Sequence, residues 1–166
     1  TPSNPDGSAN MEYVNSVVDN ISTISFKRDV VIVIKSTVPI GSNYAIERTL
    51  LNNSKTPNYI HFASNPEFLR EGTALLDTLY PDRIIIGSHD DYSTSILKEL
   101  YNPILNREFT KPSFISDNTH SLNLPQILVT DQISAEMIKY ASNCFLAVKI
   151  SYANEISNLA NMLGAN

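Results

Sequence analysis

The sequence predicts an α/β fold that runs into one long helix. Three features point to it: five consecutive β-branched residues at Val30–Ile34, strand-like and helix-like segments alternating after them, and an apolar stripe at helical spacing from Ile133 to Leu163. A continuous β-branched run of that length is the pattern of a strand covered on both faces, as in the centre of a parallel sheet. Strand and helix in alternation imply right-handed crossovers and helices on both sides of the sheet.

The elements follow in order. Val14, Val17, Val18 and Ile21 keep helical spacing, with Ser8 or Asn10 placed as caps. The strand Val30–Ile34 is stopped by Pro39 and Gly41, and Ala45, Ile46, Thr49 and Leu50 then describe a short helix. Tyr59–Ala63 and Arg83–Gly87 read as further strands, the latter followed by a helix over Tyr92–Tyr101 that should end at Pro103. Ser113–Ile115 and Ile127–Thr130 are the remaining strand-like pieces before the long stripe, which closes at Gly164. About 30 residues at 1.5 Å each give a helix of roughly 45 Å. That exceeds what a compact domain of this size needs and predicts a helix that bridges to something else.

Composition narrows the function. The 166 residues are 42% apolar, enough for a core without disulfides or metals. With 12 basic against 17 acidic residues the net charge is -5, which argues against a phosphate-neutralising surface and so against nucleic acid as partner. The run Val30–Ile34 is too short to span a bilayer, and the polar stretch Thr1–Ser8 has no signal-peptide pattern, so no membrane association is expected. A lone cysteine, Cys144, fits a reducing, cytoplasmic setting, and three scattered histidines offer no metal-ligand spacing. The five glycines stand too far apart to form a phosphate-cradling loop, and there is no initiator Met.

Ligands of open α/β sheets gather beyond the carboxyl ends of strands, here Lys35–Gly41, Ser64–Gly72 and Ser88–Asp91. In the first, a hydroxyl at Thr37 precedes a turn fixed by Pro39. In the second, Asn65 as cap and Pro66 as first helical residue would set Glu67 and Glu71 one turn apart on one face, a carboxylate pair suited to proton transfer or to a helix N-terminus. On the long helix, Lys139 and Asn143 lie four residues apart, about 6 Å, and together could stabilise a developing oxyanion or simply face solvent. Cys144, one position on, is expected to be a buried, inert thiol.

Taken together, Lys35-Ser-Thr-Val-Pro-Ile-Gly41, Asn65-Pro-Glu-Phe-Leu-Arg-Glu-Gly72, Pro81-Asp-Arg-Ile-Ile-Ile-Gly87 and Ala135-Glu-Met-Ile-Lys-Tyr-Ala-Ser-Asn143 resemble the UDP-glucose/GDP-mannose dehydrogenase family across nearly the whole chain. The resemblance implies the C-terminal part of an NAD-binding, Rossmann-type parallel-sheet domain over residues 1–131, and the start of a central helical dimerisation domain over 132–166. It implies NAD as cofactor, UDP-glucose as substrate, two-step oxidation to UDP-glucuronate, and a homodimer. Lys139, Asn143, Glu67 and Thr37 would be catalytic. Thr1, Thr37 and Glu71 would approach NAD, and Glu67, Phe68, Leu69, Arg70 and Glu71 would line the sugar nucleotide together with Lys139 and Asn143.

The family's glycine-rich loop and its nucleophilic cysteine have no match here, and Cys144 does not correspond to that nucleophile. The sequence therefore reads as an internal piece, inactive alone. Three alternatives stay open: a sister enzyme acting on GDP-mannose or a UDP-N-acetylhexosamine, a non-catalytic assembly module, and a carboxylate-pair hydrolase. The last leaves Lys139 and Asn143 unexplained.

Overall fold

The computed structural model describes residues 2–113, 115 and 123–165. In chain order the elements are α1 (Glu12–Ser22), β1 (Val30–Ile34), α2 (Ser42–Asn53), β2 (Ile60–Ser64), α3 (Ala74–Leu79), β3 (Arg83–Gly87), α4 (Asp91–Leu105), β4 (Gln126–Thr130) and α5 (Gln132–Leu163). Tyr59, expected to begin a strand, instead closes a single 3-10 turn at Pro57–Tyr59. Of the proposed β-piece at 113–115, Phe114 lies outside the described residues, while Ser113 and Ile115 sit in a turn and a bend.

The four strands line up in the order β1-β2-β3-β4. β1 and β2 are parallel over five residue pairs, as are β3 and β4. The two parallel pairs meet antiparallel, through the single pairing Ser64↔Gly87. The sheet is thus mixed where an all-parallel one was expected. Side chains reinforce the junction: Asn65 Nδ2 donates to the Ile85 carbonyl at 2.7 Å, and the Ser88 hydroxyl donates to the Phe62 carbonyl at 3.0 Å.

Helices do cover both faces. On one, Val18 of α1 with Ile46 and Leu50 of α2 packs on Phe62, flanked by Ile32 and Ile34. On the other, Leu97 of α4 packs on Ala63, Ile84 and Ile86, flanked by Val31 and Val33. The alternate residues of β1 therefore serve opposite layers, as a period of two requires. Each is only half-buried, because β1 is the outermost described strand and not a central one. Phe62 and Leu50 are almost completely enclosed, each contributing about 1.5–3 kcal/mol through burial.

Short polar side chains meet the first amides of α1, α4 and α5. Asn10 Oδ1 accepts the Glu12 amide at 2.9 Å, whereas Ser8 turns to Asp6. Asp90 caps α4 by accepting the Ser93 amide at 2.6 Å, and Asp131 caps α5 by accepting the Ser134 amide at 2.8 Å. Burial raises the Asp90 pKa, but the bonds from Ser93 and the charge of His61 outweigh it and leave the carboxyl below its ordinary value. Pro103 does not end α4, which continues to Leu105. A proline this near a C-terminus forfeits one backbone bond, and the last turn holds through Asn106 N–H to the Asn102 carbonyl at 3.0 Å.

α5 is anchored only at its start, where Gln132, Ala135, Glu136 and Lys139 are buried. Its 32 residues extend about 48 Å, and beyond Ser142 nearly every side chain is exposed. Cys144 is exposed with them, not buried as expected, because the first turns of α5 press against the sheet and the rest leaves it.

The anchoring depends on a glycine. A Cβ at Gly87 would stand 2.6 Å from Ala135 Cβ and 2.9 Å from the Asp131 carbonyl oxygen. Gly87→Ala is expected to destabilise the chain by about 1–3 kcal/mol through overpacking between β3 and α5. Thermal unfolding checks this, and an unchanged midpoint would show that α5 is not seated on Gly87.

Candidate functional site

Two hollows flank the first turns of α5. The larger, about 600 Å³, is lined by Lys35, the Asn65–Arg70 segment, the Asp82–Ile84 stretch, Tyr101, Lys139 and Asn143 among others. The smaller, about 340 Å³, is lined by Ser3, Gly7, Ala9, Thr37, Tyr140, Asn143, Cys144 and Ala147. Asn143 borders both.

The antiparallel junction explains which segments converge. Because β3 runs against β2 and their carboxyl ends meet at Ser64↔Gly87, the amino end of β3, with Asp82 and Arg83, projects past the carboxyl end of β2 to the larger hollow. The segment after β3, Ser88–Asp91, borders neither hollow, contrary to the expectation for a parallel sheet.

The segment after β2 is not a helix either. Asn65–Arg70 has no regular structure, Glu71–Thr73 forms a turn through Gly72 at φ 81°, and α3 begins only at Ala74. Asn65 does not cap a helix. It is buried, with its amide engaged by β3, Lys35 and Tyr101. Glu67 and Glu71 consequently share no helix face. Glu67 enters the larger hollow, its Oε2 accepting the Leu69 amide at 2.7 Å, while Glu71 is exposed and borders neither hollow.

Opposite Glu67 stands Lys139, 6% exposed, with Nζ 3.5 Å from Glu67 Oε1. The ammonium also sits 5.0 Å from the centre of the Phe68 ring, whose neighbour at the same distance is the Arg83 guanidinium. A buried ammonium requires such partners, since an unpaired charge there is costly. Asn143 follows one turn on, exposed at the mouth. Leu69 and Arg70 line the same hollow. Arg70 is gripped by Asp77, Nη2 to Oδ1 at 2.6 Å, which holds the Asp77 carboxyl below the usual carboxylate range.

Of the sequence-derived site residues, the fold brings Glu67, Phe68, Leu69, Arg70, Lys139 and Asn143 to one hollow and Thr37 to the other. It leaves Glu71 apart, and Thr1 lies outside the described residues.

Sequence reasoning passed over Glu136. Its carboxylate is 3% exposed and accepts the Gly41 amide at 2.5 Å, the Asn43 amide at 2.7 Å and Asn43 Nδ2 at 2.7 Å. Asn43 Nδ2 also reaches the Ser64 hydroxyl at 3.1 Å. The carboxylate thus seals the N-terminus of α2, where free amides and the helix dipole favour an anion. A signal was present: Gln132, Glu136, Lys139 and Asn143 form a polar stripe, spaced four, three and four apart, in a segment with no other charged or amide side chain. Such spacing puts all four on one helix face.

A sheet covered by helices on both faces, with a buried lysine meeting a carboxylate beyond its strand ends, places the chain among α/β proteins, whose ligands gather there. The comparisons make the class definite. Residues 1–105 match the model for the UDP-glucose/GDP-mannose dehydrogenase family, NAD binding domain, and residues 133–166 match that for the family's central domain. The chain belongs to the UDP-glucose/GDP-mannose dehydrogenase family.

Among its relatives, the UDP-glucose 6-dehydrogenase YwqF of Bacillus subtilis (strain 168) is 44% identical over 166 residues, covering 100% of this chain and 33% of the relative. The UDP-glucose 6-dehydrogenase of Rickettsia bellii is 41% identical, covering 100% and 34%. Among solved structures, a ternary complex of GDP-mannose dehydrogenase from Pseudomonas aeruginosa superposes with TM-score 0.82 at 29% identity, covering 100% of this chain and 35% of that one. A UDP-glucose dehydrogenase from Pyrobaculum islandicum superposes with TM-score 0.79 at 38% identity, covering 100% and 34%. The chain spans about one third of the length of the curated relatives it matches.

The residues present fit one end of a dinucleotide. The smaller hollow is bordered by the hydroxyl-bearing Ser3 and Thr37 and by Asn143, and Gly7, at φ 85°, has nothing within 4 Å of its Cβ position. No glycine spacing in the sequence could receive the pyrophosphate.

Removing the Glu136 carboxylate would strand the Gly41 and Asn43 backbone amides at the start of α2 and leave Asn43 Nδ2 with Ser64 alone. Glu136→Ala is expected to cost about 3 kcal/mol, and Glu136→Gln, which keeps one acceptor, clearly less. Urea unfolding checks both. Equal midpoints for Glu136→Ala and the parent would remove the carboxylate from its place in the fold.

Proposed function

We propose that this chain supplies the lysine, asparagine and carboxylate groups of an NAD-dependent oxidation of the C6 alcohol of UDP-glucose to the carboxylate of UDP-glucuronate. The observation that carries the reading is the buried Lys139 ammonium paired with Glu67, with Asn143 one turn on at the mouth of a ligand-sized hollow. Relatives at 41% and 44% identity that are UDP-glucose 6-dehydrogenases support the substrate.

Alcohol oxidation needs a proton taken from the hydroxyl and a negative oxygen stabilised as the C–H bond breaks. Lys139, as acid/base, receives that proton and with the Asn143 amide stabilises the oxygen, the two converging from one helix face. Glu67 is the acceptor for a proton from the water that brings the second oxygen of the carboxylate, and its contact with Lys139 keeps it aimed. Thr37, across the smaller hollow, orients the ligand there. NAD, when bound, supplies the hydride acceptor. Leu69 and the Phe68 ring line the wall of the sugar-nucleotide hollow. Thr1 and Glu71 belong to the cofactor side in this reading, on the family resemblance alone. The two matched models support a division of the chain near Asp131, with 1–131 as the dinucleotide-binding part and 132–166 as the start of the helical part. The free Cys144 thiol accords with a reducing, cytoplasmic setting.

The test uses a polypeptide of the relatives' full length that contains this chain, assayed for NADH formation. Lys139→Ala is expected to lower kcat on UDP-glucose by about 10²–10³-fold, and Asn143→Ala by a similar order, as for lost oxyanion donors. Turnover near that of the parent in Lys139→Ala would sink the reading. Faster turnover of GDP-mannose or a UDP-N-acetylhexosamine would keep the chemistry and replace the substrate.

The same reading includes a homodimer through α5, supported by the exposed Phe145, Val148, Tyr152 and Leu163. Sedimentation of the chain across concentration is expected to show a dimer that Phe145→Glu with Tyr152→Glu abolishes. A strictly monomeric parent would count against pairing through this helix.

A further inference from the structure

We propose that Lys35 and Tyr101 are positioning residues, which fix the segment carrying Glu67 and Phe68 by holding the Asn65 amide between them. The role extends the functional reading above and rests on it where turnover is concerned.

Asn65 is 2% exposed, and every one of its polar groups is engaged. Its backbone amide donates to the Ile34 carbonyl at 2.9 Å, and Nδ2 donates to the Ile85 carbonyl at 2.7 Å. Its Oδ1 accepts from Lys35 Nζ at 2.8 Å and from the Tyr101 hydroxyl, and its carbonyl accepts from Lys35 Nζ at 3.4 Å. One side chain thereby ties the end of β1, the strand β3 and the helix α4 to the first residue of the segment. Pro66, with its fixed φ, leads directly to Glu67.

Lys35 borders the larger hollow and could be mistaken for a ligand-binding cation. Its three donors are already taken: the Asn65 carbonyl, Asn65 Oδ1, and the Tyr101 hydroxyl at 3.0 Å. The ammonium also lies 5.7 Å from the Tyr101 ring centre. A saturated ammonium acts on its neighbours and not on a visiting anion. The neighbour it orders is two residues from the carboxylate that meets Lys139 at 3.5 Å. Loosening Asn65 would widen that gap and release Phe68 from between Lys139 and Arg83.

Nuclear magnetic resonance on this chain tests the link without reference to turnover. In Tyr101→Phe and in Lys35→Met, the Lys139 side-chain and Phe68 ring resonances are expected to shift. Tyr92→Phe, on the same helix but stacked on His61, should leave them in place. If Tyr101→Phe does not fold, Lys35→Met carries the test. Unmoved Lys139 and Phe68 resonances in a folded variant would overturn the proposal.

Kinetics of the full-length polypeptide supply the second arm. Tyr101→Phe is expected to lower kcat by about tenfold with KM within about twofold, since misplacement of reacting groups costs rate more than binding. A fall in kcat for Glu67→Gln with none for Tyr101→Phe would overturn the positioning role while the functional reading stands. Full turnover in Glu67→Gln would overturn that reading, and with it any catalytic consequence of the positioning.

Discussion

The carboxylate of Glu136 is the interaction on which the arrangement depends. It comes from the first turns of α5 and closes on the amides of Gly41 and Asn43, the opening of α2. Through Asn43 it also reaches Ser64 at the end of β2. Buried acceptor and buried donors satisfy one another, so none can be withdrawn without exposing the rest to an apolar interior. The clasp sets the rotation and depth of α5. Lys139, three residues on and on the same face, is thereby directed into the hollow against Glu67.

The second constraint is the reversal between β2 and β3. In a wholly parallel sheet, the loops after each strand would share one edge. Here the reversal sends Ser88–Asp91 away and brings the Asp82–Ile84 stretch to the hollow instead. Arg83 is thereby placed over the Phe68 ring, and Asn65 bridges the junction by bonding to Ile85. The geometry of the hollow follows from strand direction as much as from the residues that line it.

Much of this was legible in the sequence, for identifiable reasons. Elements whose pattern reflects local burial, such as Arg83–Gly87 and the long helix, read correctly because side-chain periodicity follows the backbone period. That Lys139 and Asn143 share one face was legible because helical spacing alone sets it; a solvent-facing pair would have had the same spacing. The failures share a cause, which is tertiary context. Asn65-Pro66 has the local signature of a helix start, but its amide is claimed by Lys35, Tyr101 and Ile85, distant in sequence. The β-branched run of β1 reports coverage of both faces and says nothing of whether a strand lies along each edge. The direction of β3 leaves no mark on its own composition. Pro103 looked like a stop because the bond it forfeits is visible in sequence, whereas the packing that retains the last turn is not.

The single pairing between Ser64 and Gly87 has a consequence for how the chain behaves as it folds. β1 with β2, and β3 with β4, are each formed by strands joined through one intervening stretch of chain, so each pair can order as a cooperative unit of its own. Little backbone ladder joins the two units. Their docking relies on the apolar cluster of Ala63, Ile84, Ile86 and Leu97 and on the bonds of Asn65, Ser88 and the Glu136 clasp. Glu67 belongs to the first unit and Lys139 follows the second. Neither half in isolation contains the pair, so the ionic contact between them requires both.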